Sequence, residues 1–149
     1  MIYLAADHNG WHLKKKITHW LRAWHFPFED LGNDVLDEKD DFSDFACLVA
    51  KRVSEHEREA VGIVICESGI GADIVANKFP KIRCGLGFSE AQIKAARNDD
   101  DLNMLALPAK YLSEKKAKKI VKAFLGTEFE GAPRQKRRIK KILEIENNI

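Results

Sequence analysis

Val61-Gly62-Ile63-Val64-Ile65-Cys66-Glu67-Ser68-Gly69-Ile70-Gly71 decides the architecture. Its first six residues form an unbroken apolar run, the pattern of a strand buried on both faces of a helix-covered parallel sheet. A glycine-rich turn ends the run, and Ala72 to Lys78 read as a short helix. Upstream, Ile2 to Ala6 is a strand that ends in the turn signal Asp7-His8-Asn9-Gly10. From Trp11, the residues Leu13, Ile17, Trp20, Leu21 and Trp24 recur at helical spacing. Phe26 to Asp30 reads as an edge strand because Pro27 cannot donate to a ladder. Phe42, Phe45, Ala46, Val49 and Val53 mark another helix, with Ser43 or Asp44 available as its cap. Downstream, strands over Ile82 to Gly87 and Asn103 to Leu107 alternate with helices over Glu90 to Arg97 and Lys115 to Phe124. Gly126 to Pro133 interrupts the pattern, and Arg134 to Ile145 forms a basic terminal helix carrying Ile139, Ile142 and Leu143. Repeated βα units predict an α/β fold, an open parallel sheet with helices on both faces.

Composition agrees with one domain over residues 1–149. The chain has 149 residues, 45% hydrophobic and 32% charged, with a formal net charge of +2. Its three cysteines, Cys47, Cys66 and Cys84, are odd in number and lack CxxC spacing, so neither a disulfide framework nor a zinc ribbon is expected. No apolar run approaches the ~20 residues of a membrane span. The start lacks the basic segment of a signal peptide, and a soluble, cytoplasmic protein is expected. Charge is unevenly spread. Between Glu29 and Asp44 eight acids face one base, and between Lys110 and Lys141 twelve bases face three acids. The basic stretch suits nucleic acid, a solvated helix face or a small anion. It lacks aromatic interleaving, which disfavours nucleic acid.

Ligands of such sheets bind beyond the carboxyl ends of the strands. Asp7 to Gly10, Cys66 to Gly71 and the segment around Asp99 to Asn103 are the loops expected there. In the second, glycines let backbone N–H groups converge on an anion, and a thiol beside them suits a nucleophile or base. Cys66 reads equally as a buried strand-end residue, and Asp7-His8 as a helix-capping turn. The other histidines, His12, His19, His25 and His56, read as surface or core fillers, and Cys47 and Cys84 as inert core residues. No histidine pair has metal-ligand spacing with a carboxylate, so no metal is expected. Arg134 and Arg138 share a helix face, where two guanidinium forks suit a phosphate or simply face solvent.

Together these residues resemble the type B ribose-5-phosphate isomerase family, which includes the galactose-6-phosphate isomerase subunits. The resemblance spans nearly the whole chain. It rests on Ala6-Asp7-His8-Asn9-Gly10 and on Asp41-Phe42-Ser43-Asp44-Phe45-Ala46, similar to DYPDYA. Residues Gly62 to Gly71 are similar to GILICGTGIG, and Ala76 to Arg83 to ANKxPGIR. Asn103 to Leu107 and Thr127-Glu128-Phe129-Glu130-Gly131 complete it. The resemblance implies a three-layer, doubly wound (Rossmann-like) five-stranded parallel sheet with a C-terminal helix reaching a partner subunit. It also implies a homodimer or tetramer with interfacial active sites, and no cofactor. The implied reaction interconverts an aldose phosphate and a ketose phosphate, of the ribose 5-phosphate type, through a cis-enediolate.

In that scheme Cys66 is the base between C1 and C2. The backbone of Glu67, Ser68, Gly69, Ile70 and Gly71 holds the enediolate oxygen, and the Ser68 hydroxyl moves protons. Asp7 contacts sugar hydroxyls and His8 the phosphate, which Arg134 and Arg138 of a partner subunit clamp. The arginines align if one residue is inserted near Ala132-Pro133. Five positions depart from the family pattern, Ser68 standing where a threonine is usual. Asp99 replaces its ring-opening histidine, Asp100 a substrate-binding asparagine, Glu67 a glycine, and Lys110 a third phosphate arginine. Two other readings are a subunit of a hetero-oligomeric hexose-6-phosphate isomerase and a non-catalytic sugar-phosphate binder.

Overall fold

The sheet forms around Val61–Cys66, the third strand. The structure, a computed structural model, describes residues 1–56 and 58–148. In chain order the elements are β1 (Ile2–Ala6), α1 (Trp11–Ala23), β2 (Phe28–Asp30), α2 (Phe42–Glu55), β3 (Val61–Cys66) and α3 (Ile70–Ala76). Then follow β4 (Cys84–Leu86), α4 (Glu90–Asp100), β5 (Met104–Pro108), a 3₁₀ turn (Ala109–Tyr111), α5 (Glu114–Gly126) and α6 (Pro133–Glu146). The strand order is β2-β1-β3-β5-β4, and every pairing is parallel. The chain leaves β1 for β2 on one side and returns to β3 on the other, so the order reverses between β1 and β3.

Alternate side chains of the strands enter two cores, as a twofold strand period requires. Leu4, Ile63, Ile65, Leu105 and Leu107 pack with Ile17, Leu21, Ile93, Ile120 and Phe124 of α1, α4 and α5. Tyr3, Val64, Cys66, Met104 and Ala106 pack with Ala46, Val49, Val53, Ala72 and Ala76 of α2 and α3. Full burial of each such aliphatic side chain contributes roughly 1.5–3 kcal/mol, which explains why β3 shows no polar alternation. α6 lies apart from both layers, against the end of α4, and only its Gln135 is buried. Among the described residues, no helix is long and apolar enough to cross a membrane.

The expected order of elements holds, and the edge strand read over Phe26 to Asp30 begins only at Phe28, after Pro27. Local corrections follow from packing and caps. β4 is shorter than expected because Arg83 N–H donates to the Asn103 side chain at 2.8 Å instead of a strand carbonyl. α2 is preceded by Asp41, not capped by Ser43 or Asp44, and Asp44 lies in its first turn. Cys47 is exposed, since the core face of α2 is set by Ala46, Val49 and Val53 on either side of it. α3 begins at Ile70, directly after Gly69. α4 runs on to Asp100, so Asp99 and Asp100 are helical.

One buried ion pair fixes the acidic segment that follows β2. Lys14 of α1 has no exposed surface, and its Nζ donates to Asp30 Oδ1 and Oδ2 at 2.8 and 2.7 Å and to Asn33 O at 2.9 Å. All three ammonium protons are thereby satisfied. Removing one partner of a buried pair leaves an uncompensated charge. Lys14→Met is expected to lose about 3–5 kcal/mol of stability by urea unfolding. The double variant with Asp30→Asn should lose less, and equal losses would show that the pair does not anchor this segment.

Candidate active site

Parallel strands deliver β1, β3 and β5 to one edge. Ala6 is level with Ile65 and Cys66 with Pro108. Beyond them, Asp7 N–H donates to Ile65 O at 3.3 Å and Lys110 N–H to Glu67 O at 3.1 Å. The loops after β1, β3 and β5 therefore meet at the point where the strand order reverses, the usual ligand position of open α/β sheets.

Two glycines make this junction possible. Gly10 lies so close to β3 that a Cβ there would stand 2.6 Å from Ile65 O. Gly69 has φ of +75°, and a Cβ would approach Leu86 Cδ1 to 2.4 Å and Pro108 N to 3.0 Å. Any side chain at Gly69 would be strained and crowded at once. Gly71 presents its bare backbone to the Phe42 ring, which a Cβ would meet at 2.7 Å.

Cys66 ends β3 and is 3% exposed, a member of the α2/α3 core. Ser68 Oγ accepts from Ile70 N–H at 3.3 Å and so tightens the turn into α3. Glu67 is exposed, and its backbone φ is not positive, so a residue other than glycine fits there without strain. Its Oε1 lies 2.6 Å from Lys110 Nζ. That ammonium lowers the Glu67 pKa, and the carboxylate raises that of Lys110.

Asp7 is 4% exposed, and its Oδ1 accepts from Gly10 N–H at 3.0 Å. It thus closes the turn before α1, and burial raises its pKa. His8 is held from an unexpected direction. Asp40 Oδ1 accepts from His8 N–H at 2.8 Å and lies 2.8 Å from His8 Nδ1. The bond to Asp40 raises the His8 pKa, with a further contribution from the Asp7 charge.

The remaining expected residues lie elsewhere. α4 starts beyond β4 and returns toward the start of β5, so its last turn sits at the amino edge of the sheet. The segment from Asp99 to Asn103 precedes β5 and does not join the carboxyl-edge loops, which corrects its expected placement within one chain. Gln135 Nε2 donates to Asp99 Oδ1 at 3.0 Å and to Glu130 Oε2 at 2.9 Å, fixing α6 to α4. Asp100, Arg134 and Arg138 are exposed on that side. A cavity of about 520 Å³ also opens at the amino edge, between Met1, Arg58, Arg83, Arg97, Asp101 and Phe124. Among the described residues no group of three or more His, Cys, Asp or Glu could hold a metal ion.

Asp40, Asn33, Gln135 and Glu130 were missed from sequence. The acidic stretch was visible as charge, but nothing local pairs Asp40 with a residue 32 positions earlier.

A sequence profile of the ribose/galactose isomerase family matches residues 2–142. The chain belongs to that family. It is 39% identical over 145 residues to a probable ribose-5-phosphate isomerase B of Mycoplasma genitalium, covering 97% of this chain and 95% of that one. A putative sugar phosphate isomerase of Bacillus subtilis is 36% identical over 97% of this chain and 96% of its own length. The crystal structure of ribose-5-phosphate isomerase B from Mycoplasma genitalium with bound ribulose-5-phosphate superposes with a TM-score of 0.95 at 38% identity, covering 99% of this chain and 97% of that one. The Clostridium thermocellum ribose-5-phosphate isomerase B gives 0.92 at 34% identity, with 99% and 97% covered. The fold and the family expected from the sequence motifs are therefore those of the protein.

Asp7 offers a separation of stability from function. Asp7→Asn keeps an acceptor for Gly10 N–H and removes a carboxylate that burial disfavours. Its thermal midpoint at pH 8 should equal or exceed the parent's. That advantage should vanish as pH falls through the raised Asp7 pKa, where the parent carboxyl is neutral too. Sugar-phosphate turnover should drop about ten- to a hundredfold, the scale of a lost charge-assisted hydrogen bond. A lower midpoint at pH 8 would contradict the burial argument.

Proposed function

We propose that this protein, acting as a single isomerase domain, interconverts ribose 5-phosphate and ribulose 5-phosphate through a cis-enediolate. One observation carries the reading. The loops that carry Asp7, His8 and Cys66 meet at the switch point, on a backbone that matches a ribulose-5-phosphate-bound relative at a TM-score of 0.95. Cys66 takes the proton from C2 of the open aldose and returns it to C1. General-base removal of this kind contributes roughly 10²–10⁴-fold to rate. Backbone N–H groups from Glu67 to Gly71 stabilise the enediolate oxygen, Ile70 N–H after leaving Ser68 Oγ, and loss of one such donor costs about 2.7–4 kcal/mol in comparable sites. The Ser68 hydroxyl relays protons between the sugar oxygens, and Asp7 orients the hydroxyls.

A second copy of the chain completes this site. Asp99, Asp100, Arg134 and Arg138 occupy the amino edge of their own protomer, so they reach a Cys66 only across an interface. Apolar side chains ring the carboxyl edge, with Phe42, Ile70, Ile74, Phe88 and Tyr111 between 39% and 69% exposed. Several large apolar side chains exposed toward one edge suit an association surface. α6 adds Ile142 and Ile145, both exposed. In the dimer Arg134 and Arg138 clamp the phosphate as bidentate donors, while Asp99 faces the sugar ring.

Asp99 supports a second reading, in which the chain pairs with a related subunit that supplies a histidine. Isomerase activity that appears only on mixing the two chains would favour that reading. Tight sugar-phosphate binding without solvent deuterium entering the carbon beside the carbonyl would leave a binding protein.

Cys66→Ala should lower kcat by at least about a hundredfold while the unfolding midpoint moves little. Undiminished activity would remove the proposed base. Asp99→His should speed turnover of closed-ring ribose 5-phosphate more than that of open-chain ribulose 5-phosphate, measured as initial rates in each direction. Equal effects would undo the ring-opening role of this position.

A further inference from the structure

Asp40 reaches His8 from a segment that has its own anchors. Asn33 Nδ2 donates to Asp40 Oδ2 at 3.3 Å, and Asn33 O accepts from Lys14 Nζ at 2.9 Å and Trp11 Nε1 at 3.1 Å. The Asp40 side chain is 8% exposed and that of His8 31% exposed. One carboxylate oxygen thus meets both the backbone and the ring of the same residue, which fixes the imidazole's direction. A carboxylate only accepts, so Nδ1 carries its proton toward Asp40 and Nε2 is the outward nitrogen. Asn9 Nδ2 lies 3.0 Å from that Nε2 and only donates, so Nε2 accepts there while the ring is neutral, and the imidazolium requires the Asn9 amide to turn its oxygen inward or move aside.

The charged groups facing His8 come from three elements. Asp7 precedes it in the same loop, Asp40 lies ahead of α2, and Glu67 follows β3. Both cations here have a carboxylate partner, Lys110 with Glu67 at 2.6 Å and His8 with Asp40 at 2.8 Å, but Asp40 meets the imidazole only through Nδ1 and leaves the second ring nitrogen on the far side. His8, when protonated, is a second cation at the junction of the loops.

We propose that Asp40 is a positioning residue, aiming His8 Nε2–H at the phosphoryl end of the substrate so that His8, more than Lys110, is this protomer's phosphate cation. The proposal rests on the sugar-phosphate reading of the site. A charge-assisted N–H to phosphate bond is about twice as strong as a neutral one. An imidazolium braced by a carboxylate keeps its charge to higher pH than a free imidazole. Asp40 therefore acts on phosphate affinity through His8, without touching the sugar.

Asp40→Asn tests this, since the amide oxygen still accepts from His8 N–H but carries no charge. Two readouts are needed, the His8 titration by NMR of its ring proton and the KM for ribose 5-phosphate at about pH 6 and pH 8. The His8 midpoint should fall toward the ordinary imidazole value. Relative to the parent at the same pH, KM should rise more at pH 8 than at pH 6, by up to about tenfold where the two measured His8 midpoints leave the parent charged and the variant neutral, with kcat within about twofold. The charge-neutral double variant Glu67→Gln, Lys110→Met should raise KM at pH 8 by a smaller factor. An unmoved His8 midpoint, an equal KM rise at both pH values, or a larger effect of the double variant would overturn the proposal. If the parent protein does not isomerise ribose 5-phosphate, the functional reading fails by itself, and inorganic phosphate becomes the probe. Phosphate should then raise the His8 midpoint in the parent more than in Asp40→Asn, and equal shifts would overturn the proposal.

Discussion

All five strands run the same way, so every loop that follows a strand opens at one edge and every loop that precedes one opens at the other. This sorting governs what a single protomer can bring together. Asp7, His8, Cys66, Glu67 and Lys110 follow strands and meet. Asp99, Asp100, Arg134 and Arg138 belong to the return path or to α6, and lie opposite. The register of Cys66 with Pro108 and of Ala6 with Ile65 sets the first group to within a residue. A site that needs both groups needs two chains.

Electrostatics points the same way. At the carboxyl edge the protomer's cations are matched by carboxylates, Lys110 by Glu67 and His8 by Asp40. Asp7 adds a third acid whose pKa is raised by burial. Such an edge is poor, on its own, at holding a phosphate dianion. In the proposed dimer Arg134 and Arg138, two of the three exposed arginines of α6, would add the missing charge, and their planar forks suit a phosphate better than ammonium groups would. Farther back, the Lys14–Asp30 pair holds the segment that places Asp40, linking a buried ion pair in α1 to the direction of an imidazole at the edge.

Much of this was legible in the chain because its signals are local. The apolar run of β3, the helical spacing of α1 and α2, and the turn glycines each act within a few residues. Gly69 could be read as a turn glycine, and its positive φ and crowding explain why. Element ends were less legible where distant side chains replace backbone partners, as Asn103 does for Arg83 at the start of β4. The extension of α4 moved Asp99 from an expected loop into a helix at the far edge. Asp40 and Gln135 escaped notice because their roles depend on contacts across 32 and 36 positions, which no periodicity encodes. Cys47 was misjudged because one apolar residue within a helical pattern does not reveal which face it shares.

The most direct measurement is a crystal structure of the protein with ribulose 5-phosphate bound. The account predicts C1 and C2 of the sugar within about 3.5 Å of Cys66 Sγ, a distance suited to proton transfer. It also predicts the phosphate between His8 of one protomer and Arg134 and Arg138 of another. A sugar phosphate seated instead in the amino-edge cavity beside Arg83 and Arg97, or held at Cys66 by one protomer alone, would contradict it.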